Sequence, residues 1–200
     1  MGIRFAKPGF EYTEESIRKV LNVEYLSNPK YLVHNLYVFE WESDYLARTR
    51  AGYWYEVEIK ISLSDFKNDF KKKEKHETLR TGKHRDGWGN RIDGLRPNYF
   101  AYCVPEPLVS KVDPLVPEYA GLFGVSEYGH LVRHKGVPRL HDQKITDDQL
   151  KLTEKFYYNW AEQVRKNREH EAIVKEFRRE ISFLKAEFKA VTGYDISESY

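Results

Sequence analysis

The chain has 200 residues, 40% of them hydrophobic and 15% aromatic, which is enough apolar material for a packed core and argues against disorder. Its formal net charge of +2 announces no nucleic-acid partner, so any such partner must be met by a local patch. The single cysteine, Cys103, excludes a disulfide framework and a cysteine-based zinc site within the chain. Met1–Pro8 lacks the apolar core of a signal peptide, and no apolar run approaches the roughly 20 residues of a membrane span. The expectation is a soluble, cytoplasmic protein with no membrane partner.

Thr13 suits the N-cap of a first helix, with Glu14 and Glu15 in its first turn and Ile17, Val20 and Leu21 as its apolar stripe. Asn28-Pro29 ends that pattern. Strand-like runs follow at 31–41, 45–49 and 53–61, and Ala51-Gly52 marks a hairpin turn between the last two. Ser62 or Ser64 then caps a helix with Phe66 and Phe70 facing inward, which leaves Asp65 and Asp69 on its surface. Residues 71–90 are polar, basic and glycine-containing, and read as a mobile loop.

Strands are expected at 98–104, with Cys103 as a core thiol, and at 119–125 and 130–133, with a turn at 127–129. From Thr146 onward there is no proline, and no glycine before Gly193. Leu152, Phe156, Trp160 and Val164 form one helical stripe; Ile173, Phe177, Ile181, Leu184, Phe188 and Val191 form another. The second stripe should pack on the core or on a second copy of the chain. The pattern predicts an α/β core over 1–142 and a helical extension over 143–200.

The chemistry lies in Tyr53–Ile61. Strand alternation sends Val57, Ile59 and Ile61 to a core and Glu56, Glu58 and Lys60 to the other face. Lys60 follows Glu58 by about 7 Å along the strand. Asp44, on the preceding strand, could join Glu58 as a ligand of Mg²⁺, which needs only one or two carboxylates and keeps several waters. The blander readings are that Glu56, Glu58 and Lys60 form the solvated face of an edge strand, and that Asp44 starts a turn.

Asp44 with Glu58-x-Lys60 resembles the signature of the PD-(D/E)XK, or restriction-endonuclease-like, nuclease superfamily. More narrowly, Trp41-Glu42-Ser43-Asp44, Glu56 to Ser62, Asp65-Phe66 and Asp69 are similar to the MmcB-like DNA-repair group and related phage proteins. Pro97-Asn98-Tyr99-Phe100 and Pro117 to Leu122 extend the similarity, which covers about residues 13–140. Ser43 stands where the proline of the motif name would be.

The resemblance implies a mixed sheet flanked by helices, and a Mg²⁺- or Mn²⁺-dependent nuclease acting on DNA in repair or phage DNA processing. Asp44 and Glu58 would bind the metal and Lys60 would assist. Glu14, with Glu15 as alternate, would complete the site, supported by Glu42, Glu56, Ser62 and Asp65. Lys71, Lys72, Lys73, Lys75, Arg80, Lys83 and Arg85 form the basic patch expected to meet DNA phosphates; a solvated loop is the alternative.

Two other functions suit the same sequence. One is a nuclease-fold module that binds DNA without cutting it, and the other is a helical assembly protein built on the Ile173–Val191 stripe. A homodimer is compatible with the first two readings. His130 and His134, at i, i+4 on a strand, are about 13 Å apart and read as surface groups.

Overall fold

The computed structural model describes residues 9–85, 88–146 and 148–192. The chain divides into two units, Met1–Leu152 and Thr153–Tyr200. The first opens with α1 (Glu14–Glu24), followed by β1 (Tyr31–Val33), β2 (Leu36–Tyr37), β3 (Glu42–Ser43), β4 (Tyr45–Arg48) and β5 (Trp54–Ile59). Helices α2 (Leu63–Asp69) and α3 (Lys73–Thr81) come next, then the ribbon of β6 (Lys83–Arg85) and β7 (Arg91–Asp93). Strand β8 (Tyr99–Pro105), the short helix α4 (Val109–Val112), β9 (Gly121–Val125) and β10 (Leu131–Lys135) complete it. The second unit is carried by one helix, α5 (Leu152–Thr192), which takes in both apolar stripes of the C-terminal third.

Six strands form a mixed sheet in the order β1-β4-β5-β8-β9-β10. The β5–β8 and β8–β9 pairs are parallel and the other three antiparallel. This is an α/β fold, a mixed sheet flanked by helices with a helical C-terminal stretch. Its central parallel strands are buried on both faces, which explains why β8 reads as the continuous apolar run Tyr99–Val104.

One face of the sheet holds the main core, where Ile17, Val20 and Leu21 of α1 pack against Tyr45, Val57, Ile59, Cys103 and Phe123. A reciprocal cap fixes the start of α1. Thr13 Oγ1 accepts from Ser16 N–H, and Ser16 Oγ accepts from Thr13 N–H. The opposite face is covered by α2 and α3, with the Phe66 ring 4.7 Å from that of Tyr102. Ser62 caps α2 by accepting from Asp65 N–H, as the sequence predicts.

Several expectations are corrected. Residues 31–41 are not one strand, because Asn35 and Glu40 adopt positive φ of 49° and 65° and bend the chain twice. Ile61 lies beyond the end of β5 and is 48% exposed rather than in the core. Residues 71–90 are not a loop, since α3 and the β6–β7 ribbon occupy most of the span. Among the described residues, no helix is long and apolar enough to cross a membrane.

The first unit also runs ten residues past the boundary expected at 142. Trp54 is fully buried and donates from Nε1 to Ile145 O at 3.2 Å; Ile145 and Leu150 are each 1% exposed. A chain truncated after residue 152 keeps both of these side chains and serves as the reference. Truncation after residue 142 should cost about 3–6 kcal/mol in urea denaturation, from the loss of two buried aliphatic side chains. Equal stability of the two truncations would move the boundary back to residue 142.

Candidate active site

The alternation of β5 turns Trp54, Glu56 and Glu58 toward α2 and α3, and Lys60 follows on the same side. This face is not solvated: Glu56 is 0% exposed, Glu58 1% and Lys60 7%. Nor is β5 an edge strand, because it lies between β4 and β8. A charged face can be buried there only if each charge finds a partner.

Lys60 Nζ lies 2.8 Å from Glu58 Oε1 and 3.9 Å from Asp44 Oδ2. Asp44 sits in the short break between β3 and β4, and its Oδ2 accepts from the backbone N–H of Ile59 at 2.9 Å. That bond ties the aspartate to the end of the strand carrying the other two groups. Asp65 Oδ1 is a further 3.9 Å contact of Lys60 Nζ. Burial would lower the Lys60 pKa, but Glu58, Asp44 and Asp69 outweigh it and hold the ammonium charged.

Two more lysines reach the same carboxylate from the segment after α2. Lys75 Nζ is 2.7 Å from Glu58 Oε2, and Lys72 Nζ is 3.3 Å from Oε1. Both also bridge to Asp69 Oδ1, at 3.3 Å and 3.1 Å. Asp69 is buried, accepts from Tyr102 O–H at 2.9 Å and lies 3.2 Å from His76 Nε2. Burial pushes its carboxyl up, but His76 and the charges of Lys75, Lys60 and Lys72 prevail and hold it well below the ordinary range.

Asp69 belongs to the motif that carries the family resemblance, but its spacing on α2 reads as a helix-surface position, whereas the structure buries it at the end of α2 against the lysines. Asp69, Lys72 and Lys75 meet because the chain turns between α2 and α3, so no helical spacing marks them in the sequence. Lys75, expected in the DNA-binding patch, is 3% exposed and committed to Glu58 and Asp69, so it is not a phosphate contact.

The remaining expected site residues are scattered. Glu42 is exposed on β3, and Ser62 serves as the α2 cap. Glu14, at the start of α1, is ion-paired with Arg18 but lies close enough to add to the field that raises Asp44. Glu56 sits beneath the cluster, its Oε1 accepting from Trp41 Nε1–H at 2.7 Å. Lys71, Lys73, Arg80, Lys83 and Arg85 are exposed on and around α3 and β6. Arg80 pairs with Glu77, Lys83 faces Asp93, and a cleft of about 310 Å³ lies among these groups. His130 and His134 bond separately to Glu24 and Glu106, consistent with surface roles.

The electrostatics distinguish Asp44 from an ordinary turn residue. Burial first, and then repulsion by Glu58, push its carboxyl up to about 6, against the pull of Lys60. A buried carboxylate raised beside a second one in this way is stabilised by a divalent cation, and hard oxygen donors suit Mg²⁺ or Mn²⁺. Among the described residues, no group of three or more His, Cys, Asp or Glu is arranged to hold a metal. An ion here would therefore have two protein carboxylates and complete its shell with water.

No protein-family model and no curated protein matches the chain. A solved structure of a protein of unknown function from Silicibacter pomeroyi is similar at 18% identity with a TM-score of 0.44, covering 70% of this chain and 80% of that one. At that level the likeness carries no argument about fold or activity.

Two outcomes follow from the burial of this cluster. Lys75→Met removes the most buried ammonium from Glu58 and Asp69, leaving them Lys60, Lys72, His76 and Tyr102, and should cost roughly 3 kcal/mol. Lys73→Met, at an exposed position, should stay within about 0.5 kcal/mol of wild type in the same urea titration. Comparable losses for the two variants would contradict the buried bridge.

Glu56 gives the second. Burial pushes its carboxyl up to about 8, only partly offset by Lys75. The folded chain then holds a proton that the unfolded chain releases, so stability falls as pH rises through that interval. Asp44 contributes in the same direction only up to about 6. In metal-free buffer, Tm should drop between about pH 6 and 8, and Glu56→Gln should flatten the drop. An unchanged slope in the variant would exclude Glu56 as its source.

Proposed function

We propose that this chain is a metal-dependent nuclease of the restriction-endonuclease-like PD-(D/E)XK class, hydrolysing DNA phosphodiester bonds in repair or phage DNA processing. The observation that carries the proposal is the meeting of Asp44 and Glu58 on one ammonium, Lys60, with Asp44 raised by burial and then by the second carboxylate. Asp44 and Glu58 would hold Mg²⁺ or Mn²⁺. Such an ion supplies Lewis acidity and a more acidic bound water when present.

The chain's own groups have separable tasks. Lys60, held charged and nearly shielded from solvent, stabilises negative charge developing on the phosphoryl oxygens. Glu14 adds a carboxylate near Asp44 and strengthens the attraction for a cation. Lys72 is half-exposed beside Glu58 and can turn outward to a phosphate. Lys71, Lys73, Arg80, Lys83 and Arg85 supply sequence-independent, salt-sensitive contacts to the nucleic-acid backbone.

A second reading has its own observation. Glu58 is neutralised by three ammonium groups, which suits a module that binds DNA through the same basic surface without cutting it. Purified protein incubated with plasmid and oligonucleotide DNA and Mg²⁺ or Mn²⁺ separates the two. The nuclease should cleave, and Asp44→Asn and Lys60→Ala should each lower the rate by about 10²-fold or more while staying folded. Absence of cleavage by wild type under broad metal screening, with DNA affinity lost on neutralising Lys71, Lys72 and Lys73, would favour the binding module.

A further inference from the structure

The second unit carries a regularity finer than an amphipathic stripe. Val174, Phe177, Ile181, Leu184, Phe188 and Val191 alternate at spacings of 3 and 4, so they occupy the a and d positions of consecutive heptads along α5. The seam covers about two and a half heptads, or about 27 Å of helix. Phe177, Ile181 and Leu184 are 59%, 52% and 54% exposed. A seam of that width is what another helix covers by inserting its own knobs.

The flanking charges identify the occupant. Arg178 and Lys185 fall at e positions; Glu180 and Glu187 fall at g. In a parallel pair of identical helices, each g residue faces the e residue five positions further on in the partner. Glu180 then meets Lys185 of the second copy, twice by symmetry. An antiparallel pair centred on the same seam brings Glu180 against Glu187, and Arg178 against Lys185, which is unfavourable at both flanks. Val174 and Ile181, β-branched at a, with Leu184 at d, also favour two parallel strands.

We infer that α5 docks a second copy of this chain as a parallel two-stranded coiled coil through the seam from Val174 to Val191. The inference is independent of the nuclease proposal.

Sedimentation equilibrium of the full chain over a wide concentration range tests it, with circular dichroism to confirm that helix content is kept. Wild type should associate reversibly to a dimer, and Leu184→Asp should be monomeric. Glu180→Lys should weaken association about tenfold by facing Lys185 of the other copy, and adding Lys185→Glu should restore it. A monomer at every concentration, or a dimer indifferent to Leu184→Asp, would overturn the interface. Tighter association of Glu180→Lys would overturn the parallel arrangement, because in the antiparallel one the new lysine meets Glu187.

Discussion

A carboxylate in the middle of a sheet, shielded on both sides, survives folding only where cations come to it. Glu58 of β5 is such a group, and Lys60, Lys72 and Lys75 all end on its two oxygens. Removing one ion from water costs several kcal/mol even after relaxation, so the lysines are not optional decoration. Their demand shapes the connection between β5 and β8. The chain after β5 must place α2 so that Asp69 faces the sheet, and α3 so that Lys75 reaches back over the Phe100 ring to Glu58. The crossover on this face is thus held by charge as well as by Phe66 and Leu79.

The same confinement gives the site its chemical potential. Asp44 would be an ordinary turn residue in water. Buried and set beside Glu58, it becomes a carboxylate that resists ionisation, although the charge of Lys60 and the N–H of Ile59 favour its charged form. Lys60 experiences the opposite pressure and stays charged. The nuclease proposal rests on this meeting of two acids at Lys60, where a divalent cation would relieve their repulsion, rather than on a motif alone.

Much of this was legible in the residues, and the failures have physical causes. Thr13 and Ser62 declare their helices through side-chain caps, a local interaction that sequence spacing carries in full. The parity of Glu56, Glu58 and Lys60 is likewise local, and so is their sharing of a face. That the face is buried is not local. It depends on β8 pairing alongside β5 and on α3 folding over it, both set by contacts far along the chain. The stretch after Lys71 shows the same limit: its polarity resembles a loop because its lysines serve buried acids, and burial of a charge leaves no apolar mark. Asn35 and Glu40, at positive φ, break a run whose composition suggests one long strand. The end of the first unit escapes the sequence for a similar reason, since Ile145 and Leu150 are isolated apolar residues in a polar stretch, and the Trp54 that bonds to the Ile145 carbonyl lies far away on β5.

The claim that Asp44 and Glu58 act together as a cation site is tested most directly by titrating Mn²⁺ into the protein while following the free-ion electron paramagnetic resonance signal. Wild type should take up the ion saturably, and Asp44→Asn, folded as judged by circular dichroism, should lose that uptake. Equal uptake by the variant, or none by the wild type, would contradict the pairing of these two acids as a metal site.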